Sequence, residues 1–357
     1  MEFANIIFVV TDDCNYNCSY CPQVKKNKHL DFGDIDKAID FFCPYLAEKS
    51  HISFYGGEPL LAFDRIKFTV EKATDITKKQ PIAFEYSLST NGSLLNDEIV
   101  QFLDEYKFFV VLSFDGFAQE KSRKEASYED TILLIKNLLR QKNIKLMINS
   151  VFEPDTVGLL SKSMQMIADM SVPEIRFNLA AGGEWKKSSI HTFREEMKSL
   201  RSFTKIFYKK EGIIPIDNFR REKRSGIFCC TGGEDRIALT PEGSLWGCHL
   251  FWDYFKGKDH TAEYQKYCFG DIDSFIKEYS TIYPNIIRNY SALNQLNFRS
   301  PKLDCYFCPN LEDCGVCPVS AAFSSQKMGE IPLWTCETKK IILRERALLW
   351  NELDSTG

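Results

Sequence analysis

The sequence predicts an α/β fold: an open, partial (β/α)6 barrel followed by a cysteine-rich region built from a β-hairpin and helices. Three observations predict it. From residue 5 to about 210, apolar strand-like runs alternate six times with segments of helical period. Cys14, Cys18 and Cys21, spaced C-x3-C-x2-C, come directly after the first apolar run, Ile6 to Thr11. Nine further cysteines lie between Cys229 and Cys336, beyond the last strand–helix unit.

The expected strands are 5–11, 51–55, 82–90, 107–113, 144–151 and 174–180. The expected helices are 34–47, 63–78, 96–105, 127–142, 156–170 and 190–210. Six units are fewer than the eight that close a barrel, so the barrel should stay open. A linker is expected over 213–228, carrying Pro215 and Gly226. It separates a first domain, 1–212, from a second, 229–340, with a C-terminal helix and tail over 341–357. In the second domain, Asp235 to Thr240, the turn Pro241-Glu242-Gly243 and Ser244 to Cys248 read as a hairpin. Gly270-Asp271-Ile272 then opens a mostly helical segment over about 273–297.

The chain has 357 residues, enough for a large core and more than one small domain. Its charges are mixed and its net charge is −4, which gives no electrostatic reason to expect nucleic acid or an anionic membrane as partner. The basic run Arg220-Arg221-Glu222-Lys223-Arg224 is interrupted by glutamate and reads as a solvated linker. No apolar stretch is long enough for a spanning helix, and the N-terminus carries no basic-then-apolar signal, so a cytoplasmic protein is expected. In a reducing compartment, clustered thiols point to metal rather than disulfides. Of 13 cysteines only Cys43 stands apart, in a helical run from Ile35 to Leu46, where it reads as a small buried hydrophobe.

Thiolates are the protein ligands of iron–sulfur clusters. Three of them can hold three corners of a four-iron cluster and leave one iron open, whereas zinc would want a fourth ligand nearby. Barrels of this type place their chemistry at the C-terminal ends of their strands. The same edge carries Tyr55-Gly56-Gly57-Glu58-Pro59, Ser89-Thr90-Asn91-Gly92, Ser113-Phe114-Asp115-Gly116 and Asn149-Ser150. Each alone is ordinary turn chemistry. Together with the cysteine loop they are better explained by one ligand pocket, in which the paired glycines let backbone approach a ligand and offer it N–H groups.

The Cys14–Cys21 motif, with Tyr20 before the last thiol, resembles the signature of the radical S-adenosylmethionine (SAM) superfamily, a family with TIM-like partial barrels. The Gly56-Gly57-Glu58-Pro59 run resembles that family's methionine-amine motif. The resemblance implies a [4Fe-4S] cluster on the three thiolates, with SAM chelating the open iron. One electron then cleaves SAM to methionine and a 5′-deoxyadenosyl radical that abstracts a substrate hydrogen. It also implies that Gly56, Gly57 and Glu58 receive the SAM amine. Ser89 and Asn91 sit where strand three meets the cofactor, and Ser113 and Asp115 lie near the ribose. Arg123 contacts a carboxylate, and Asn149 contacts carboxylate or ribose.

The later cysteines include Cys305-x2-Cys308-x5-Cys314-x2-Cys317 and Cys336. The bland reading of residues 305–317 is a zinc knuckle, but the five-residue gap is short for that and nine thiols exceed two zinc sites. The pattern resembles the SPASM extension of radical SAM enzymes, which holds two auxiliary clusters and brings the total to three [4Fe-4S] clusters. Cys305, Cys308, Cys314 and Cys336 match the outer cluster's ligands. Cys230, Cys248 and Cys317 match the inner cluster, although the family usually has three residues between the partners of Cys314 and Cys317. Cys229 or Cys268 is expected to complete the inner set, the alternative being one iron left open for substrate.

The resemblance further implies a radical SAM oxidoreductase that matures ribosomally made peptides by forming a thioether or carbon–carbon crosslink. The alternatives are a formylglycine-generating sulfatase maturase and a dehydrogenase of a small alcohol. In the sulfatase branch an Asp directly after the hairpin cysteine serves as base; here His249 holds that place and is the candidate catalytic residue. The implied partners are a peptide or protein substrate and an electron donor such as a flavodoxin or ferredoxin. Only four residues precede the first strand, so either a separate leader-peptide recognition protein brings the leader or the barrel and second domain recognise it unaided.

Overall fold

The computed structural model describes residues 3–221, 227–300 and 303–355. Its barrel elements follow one another as β1 (Phe3–Thr11), α1 (Phe32–Phe42), β2 (Leu46–Gly56), α2 (Phe63–Thr77), β3 (Ala83–Thr90) and α3 (Asp97–Glu105). They continue as β4 (Phe109–Ser113), the one-turn α4 (Gln119–Ser122), α5 (Tyr128–Leu138), β5 (Lys145–Phe152), α6 (Leu160–Asp169), β6 (Glu174–Leu179) and α7 (Lys187–Glu211). The six alternating units are all present, within a few residues of the expected bounds. The first helix is the exception. Pro44 lacks the N–H a helix would need, so α1 stops at Phe42, Cys43 falls in a 3-10 turn, and β2 begins at Leu46.

Strands β1 to β6 pair in parallel and in sequence, with Ile6 opposite Ile52 and Leu88 opposite Val110. Buried on both faces, such strands need near-continuous apolar runs, and Phe8, Val9 and Val10 are fully buried. Stacked rings of Phe8, Phe54, Phe108 and Tyr86 cross the sheet at centroid spacings of 6.4, 6.0 and 5.3 Å. The helix starts are set by side chains: Asp31, Asn96 and Ser127 accept bonds from the first-turn N–H groups of α1, α3 and α5. Gly212, at φ +73°, ends α7.

The second half contains β7 (Arg236–Leu239), β8 (Ser244–Trp246), α8 (His249–Phe255), α9 (Ala262–Tyr267), β9 (Cys268–Asp271) and α10 (Ile272–Ser291). It ends with two further helices, labelled α11 (Pro318–Ser325) and α12 (Leu333–Asp354) after the chain order. The hairpin β7–β8 forms where the turn residues predict it. It is not a separate sheet: β7 lies parallel to β1, with Asn5 opposite Arg236 and Phe8 opposite Leu239. One nine-stranded sheet therefore runs β6-β5-β4-β3-β2-β1-β7-β8-β9. The last helix begins at Leu333, earlier than expected, and takes in Cys336.

The expected linker is partly built into the fold. Ile216 bridges to Ile175, and Ile216 and Phe219 are fully buried. Arg220 donates to the carbonyls of Ile214 and Pro173, and Arg221 pairs with Asp354 and lies over the Trp350 ring. Arg220 is thus held by the fold, while Arg221 stays exposed as the sequence suggests, though paired; Glu222, Lys223 and Arg224 lie outside the described residues. Among the described residues no helix is long and apolar enough to cross a membrane.

A buried ion pair fastens the two halves at the barrel mouth. Lys256, just past α8, meets Asp12, just past β1, at 2.6 Å, and both side chains are 2% exposed. Asp12 also accepts from the N–H groups of Lys26 and Lys28. Asp12→Asn should leave the Lys256 ammonium buried without a counter-charge, at a cost of about 3–5 kcal/mol. Urea unfolding should show the fall, and an unchanged midpoint would contradict it.

Candidate functional site: a thiol-lined cavity at the barrel mouth

The loop after β1 is built by backbone contacts that only glycine permits. The N–H groups of Gly57 and Glu58 donate to the carbonyls of Thr11 and Asp13 at 3.0 and 2.8 Å. A Cβ on Gly56 would stand 2.3 Å from the Thr11 oxygen, and one on Gly57 would stand 2.2 Å from the Asp13 oxygen. The paired glycines thus pack against the cysteine loop, and the N–H groups of Gly57 and Glu58 are spent there rather than offered to a ligand. The loop's outer rim is tied down by Asn15 to Ser93 and Asn91, Asn17 to Glu125, and Ser19 to the Ser122 carbonyl. Lys25 reaches back to the carbonyls of Cys14 and Tyr16.

These contacts present Cys14, Cys18 and Cys21 to a cavity of about 330 Å³. Tyr20, Gly56, Gly57, Ser89, Asn91, Ser113, Arg123 and Asn149 also line it, as the sequence predicts. Glu58, Pro59 and Asp115 do not. Glu58 is fully buried behind the wall, where it accepts from Thr90 Oγ1 at 2.7 Å and from the N–H groups of Asn91 and Leu60 at 2.7 and 3.1 Å. Burial raises its carboxyl, and those bonds oppose the rise. Held by these three bonds, it shapes the wall from behind. Pro59 begins the turn behind it.

Asp115 is likewise fully buried and holds other side chains in place. It accepts from Arg123 Nε at 2.9 Å, Arg123 Nη2 at 3.3 Å, the Tyr20 hydroxyl at 3.1 Å and the Val151 N–H at 2.8 Å. Arg123 lies against the Tyr20 ring and 4.0 Å from Cys18 Sγ, bringing positive charge to the thiols. Burial pushes Cys18 up to about 11, and Arg123 is the largest opposing influence. Burial also raises Cys14 and Cys21. Thiols in such a place ionise readily only with a cation beside them.

The far wall comes from the second half of the chain: Leu250 and Asp253 on α8, and Ser320 on α11. Asp253 is 5% exposed. Gln23 Nε2 donates to its two oxygens at 3.2 and 3.3 Å, and the Tyr55 hydroxyl donates at 3.4 Å. Burial raises its carboxyl, opposed by His249, Gln23, Lys256 and Tyr55. The expected base His249 is not a lining residue. Its ring lies tilted against Tyr55 with centroids 3.9 Å apart, its Nδ1 is 3.7 Å from Cys248 Sγ, and burial lowers it to about 4. Sequence reasoning missed Asp253 and Gln23; the spacing of His249 and Asp253, one helical turn apart, was the available signal.

The later thiols fall into two neighbourhoods. Cys230, Cys248 and Cys317 act on one another's charge, burial first raising Cys230 to about 12, and Arg236 opposes the rise at all three. Cys336 feels Cys314, Cys308 and Cys305, with burial again the main cause of its rise to about 11. Cys317 thus lies near Cys230 and Cys248, whereas no other thiol is among the influences on Cys229 or Cys268. The Cys229 thiol is exposed and meets the Ser291 carbonyl at 3.5 Å, since adjacent residues point apart. Cys268 is buried on β9, where the Gly270 N–H bonds its sulfur at 3.4 Å. Among the described residues no three such donors are gathered tightly enough for one metal ion. A four-iron cluster instead spreads its thiolates over separate irons.

Residues 8–155 match the sequence model of the Radical SAM superfamily. The chain carries a radical SAM domain. Its relatives include an uncharacterised protein of Methanocaldococcus jannaschii, 28% identical over 68% of this chain and 84% of that one. The radical SAM cyclopropyl synthase TigE of Paramaledivibacter caminithermalis is 28% identical, over 42% of this chain and 36% of that one. GTP 3′,8-cyclase of Clostridium perfringens is 27% identical, over 69% and 80%. In fold, the chain is similar to native anSMEcpe with bound AdoMet and Kp18Cys peptide, with a TM-score of 0.76 and 17% identity over 99% of this chain and 100% of that one. Streptococcus suis SuiB bound to precursor peptide SuiA gives 0.58 and 14%, over 92% and 74%.

The donor set fits the iron–sulfur cluster and SAM that the radical SAM domain implies. Three thiols on one loop face the cavity with a buried arginine beside them. Gly57→Ala should push that loop away and lower iron bound at Cys14, Cys18 and Cys21, while far-UV circular dichroism keeps the barrel signal. Full iron retention would refute the packing argument.

Proposed function

We propose that this protein is a radical SAM enzyme with a SPASM-type second domain that modifies a residue of a peptide. The observation that carries the reading is the cavity itself: radical SAM thiols form one wall, and a buried carboxylate from the second half forms the other. The peptides held by the anSMEcpe and SuiB structures support a peptide substrate for a chain of this fold. On this reading Cys14, Cys18 and Cys21 hold the first [4Fe-4S] cluster. Cys305, Cys308, Cys314 and Cys336 hold a second, and Cys230, Cys248 and Cys317 hold a third whose remaining position is left to a ligand other than cysteine. The first cluster and SAM supply the carbon radical that removes a hydrogen atom.

The protein's own residues do the rest. Arg123, fixed by Asp115, supplies positive charge beside the thiolates and the anionic end of SAM. Ser89, Asn91, Ser113 and Asn149 offer hydrogen bonds along the strand ends. Asp253 takes the place proposed from sequence for His249. Its carboxylate faces the cavity, and Gln23 and Tyr55 orient it to accept a proton from the substrate's thiol, hydroxyl or adjoining carbon. The finer reading is formation of a thioether or carbon–carbon crosslink. Formylglycine generation from Cys or Ser stands beside it, because the likeness to anSMEcpe spans the full chain.

Anaerobic reconstitution should load about 12 iron atoms, three four-iron clusters' worth. A Cys14→Ala, Cys18→Ala, Cys21→Ala variant should keep about eight of them and lose SAM cleavage. Zinc in place of iron would sink the reading. Asp253→Asn should lower product formation by about 10²–10⁴-fold while 5′-deoxyadenosine is still released. Equal loss of both would make Asp253 a structural residue. Mass spectrometry of a cysteine-bearing peptide product decides between a crosslink, with loss of two hydrogens, and a Cys-to-aldehyde change.

A further inference from the structure

A second concavity follows the line where α7 and α12 pack together, and its two sides repeat one pattern. On α7 the lining side chains are Lys187, Ile190, His191 and Arg194; on α12 they are Glu337, Lys340, Ile341 and Arg344. Each set is spaced i, i+3, i+4, i+7, which places it on a single stripe of its helix. Ile190 and Ile341 are buried and form an apolar floor. The groove encloses about 490 Å³. Four cations line it against one carboxylate, Glu337. Among the described residues none of the four makes an ion pair or a side-chain hydrogen bond. Glu195, which feels both His191 and Arg194, is already paired with Lys198 at 2.8 Å. Like charges held together without counter-charge oppose the folded state, and an anionic ligand relieves them.

The groove's second property is its place in the chain. Ala180, Ala181 and Gly182 line the thiol cavity, and the short segment after them leads directly to Lys187. That segment is pinned. Trp185 Nε1 donates to the Ala180 carbonyl at 2.9 Å, and the Trp185 ring stacks on Trp334 of α12 with centroids 5.4 Å apart. Ser324 on α11 donates to the Ala181 carbonyl. Cavity wall and groove are thus the two ends of one fixed segment. From Lys187 to Arg194 the α7 stripe runs about 10 Å, at about 1.5 Å per residue. An extended peptide advances about 3.3 Å per residue, so the groove takes about three of its residues. A small anion would use the cations and leave the apolar floor uncovered; an acidic segment that also carries an apolar side chain uses both.

We propose that the α7–α12 groove binds an acidic segment of the peptide substrate, with carboxylates on about three consecutive residues, while another residue of the same peptide lies in the thiol cavity. The inference rests on the reading that the cavity modifies a peptide. A contact made away from the reacting residue holds ground state and transition state alike, so it lowers KM and leaves kcat unchanged. Contact between exposed charges weakens as salt is raised.

The probes are synthetic peptides with one cysteine, a Gly-Ser spacer of varied length on either side of it, and Asp-Glu-Glu or Asn-Gln-Gln at the spacer's end. Binding to the anaerobically reconstituted full chain is read by fluorescence anisotropy, and turnover with SAM and reductant by mass spectrometry. At low salt the acidic peptide of best spacer should bind about tenfold or more tighter than its amide twin, and its KM should fall to match. Lys187→Glu combined with Arg344→Glu should remove that advantage, with kcat, circular dichroism and iron content unchanged. Lys79→Glu, an exposed charge reversal just past α2, should keep it. Equal affinity for the two peptides at every spacer length overturns the proposal, as does an undiminished acidic preference in the double variant. So does displacement of the acidic peptide by an equal concentration of inorganic phosphate, which makes the groove a small-anion site. Tighter binding with no change in KM also overturns it, because the occupant is then not the substrate. Absence of 5′-deoxyadenosine and product with every peptide overturns the peptide-modifying reading itself, whatever the anisotropy shows.

Discussion

The barrel mouth depends on one carboxylate. Asp12 sits where β1 gives way to the cysteine loop, and two other pieces of chain converge on it. The backbone of Lys26 and Lys28 bonds one oxygen, and the Lys256 ammonium meets the other in a place almost closed to water. The returning segment is further stitched to the strand end by Leu30 to Val10 and by Thr11 to Lys28. The loop that carries Cys14, Cys18 and Cys21 is thereby closed over by residues 24–30 and anchored to α8, the helix that supplies Asp253. A buried pair of this kind contributes little net stability over an apolar substitute, but it fixes register. Here the register is that of the thiols against the opposite wall.

Charge compensation recurs at each thiol group. Arg123 stands at the first set and Arg236 at the inner one, each held by a neighbouring aspartate, Asp115 or Asp235. Burial alone would keep these thiols protonated. The arginines act against it, and the aspartates keep the arginines from leaving for solvent. Lys340 does the same for the outer set. Three cations in three unrelated parts of the chain thus answer one electrostatic requirement, the holding of several thiolates away from water.

The alternating units were legible because buried parallel strands and amphipathic helices impose different periods on a sequence. The caps at Asp31, Asn96 and Ser127 carry the same information locally. The thiol spacings and the polar strand ends marked the site's near wall. What stayed hidden was anything set by pairing across long separations. Nothing in Arg236 to Leu239 says that this strand lies against β1, and nothing in His249 to Phe255 says that Asp253 turns to the cavity while His249 lies against Tyr55. Glu58 and Asp115 were recognised as belonging to the site. What sequence did not show is which side chains hold them: Thr90 for Glu58, and Arg123 and Tyr20 for Asp115. The paired glycines mislead similarly: close approach was needed, but to the neighbouring loop.

The shared sheet has a consequence for selectivity. Strand β1 ends at the first thiol loop, and its partner β7 leads through the hairpin to Cys248 and α8. One ladder of backbone hydrogen bonds therefore sets the gap between the two walls. A molecule with a hinge there could widen to admit a bulky guest; this one would have to tear a parallel strand pairing to do so. The gap behaves as a fixed gauge. Discrimination then falls to the short segments at its edge, Ala180 to Gly182 and Ser320, whose exchange could retune what is admitted without disturbing the span.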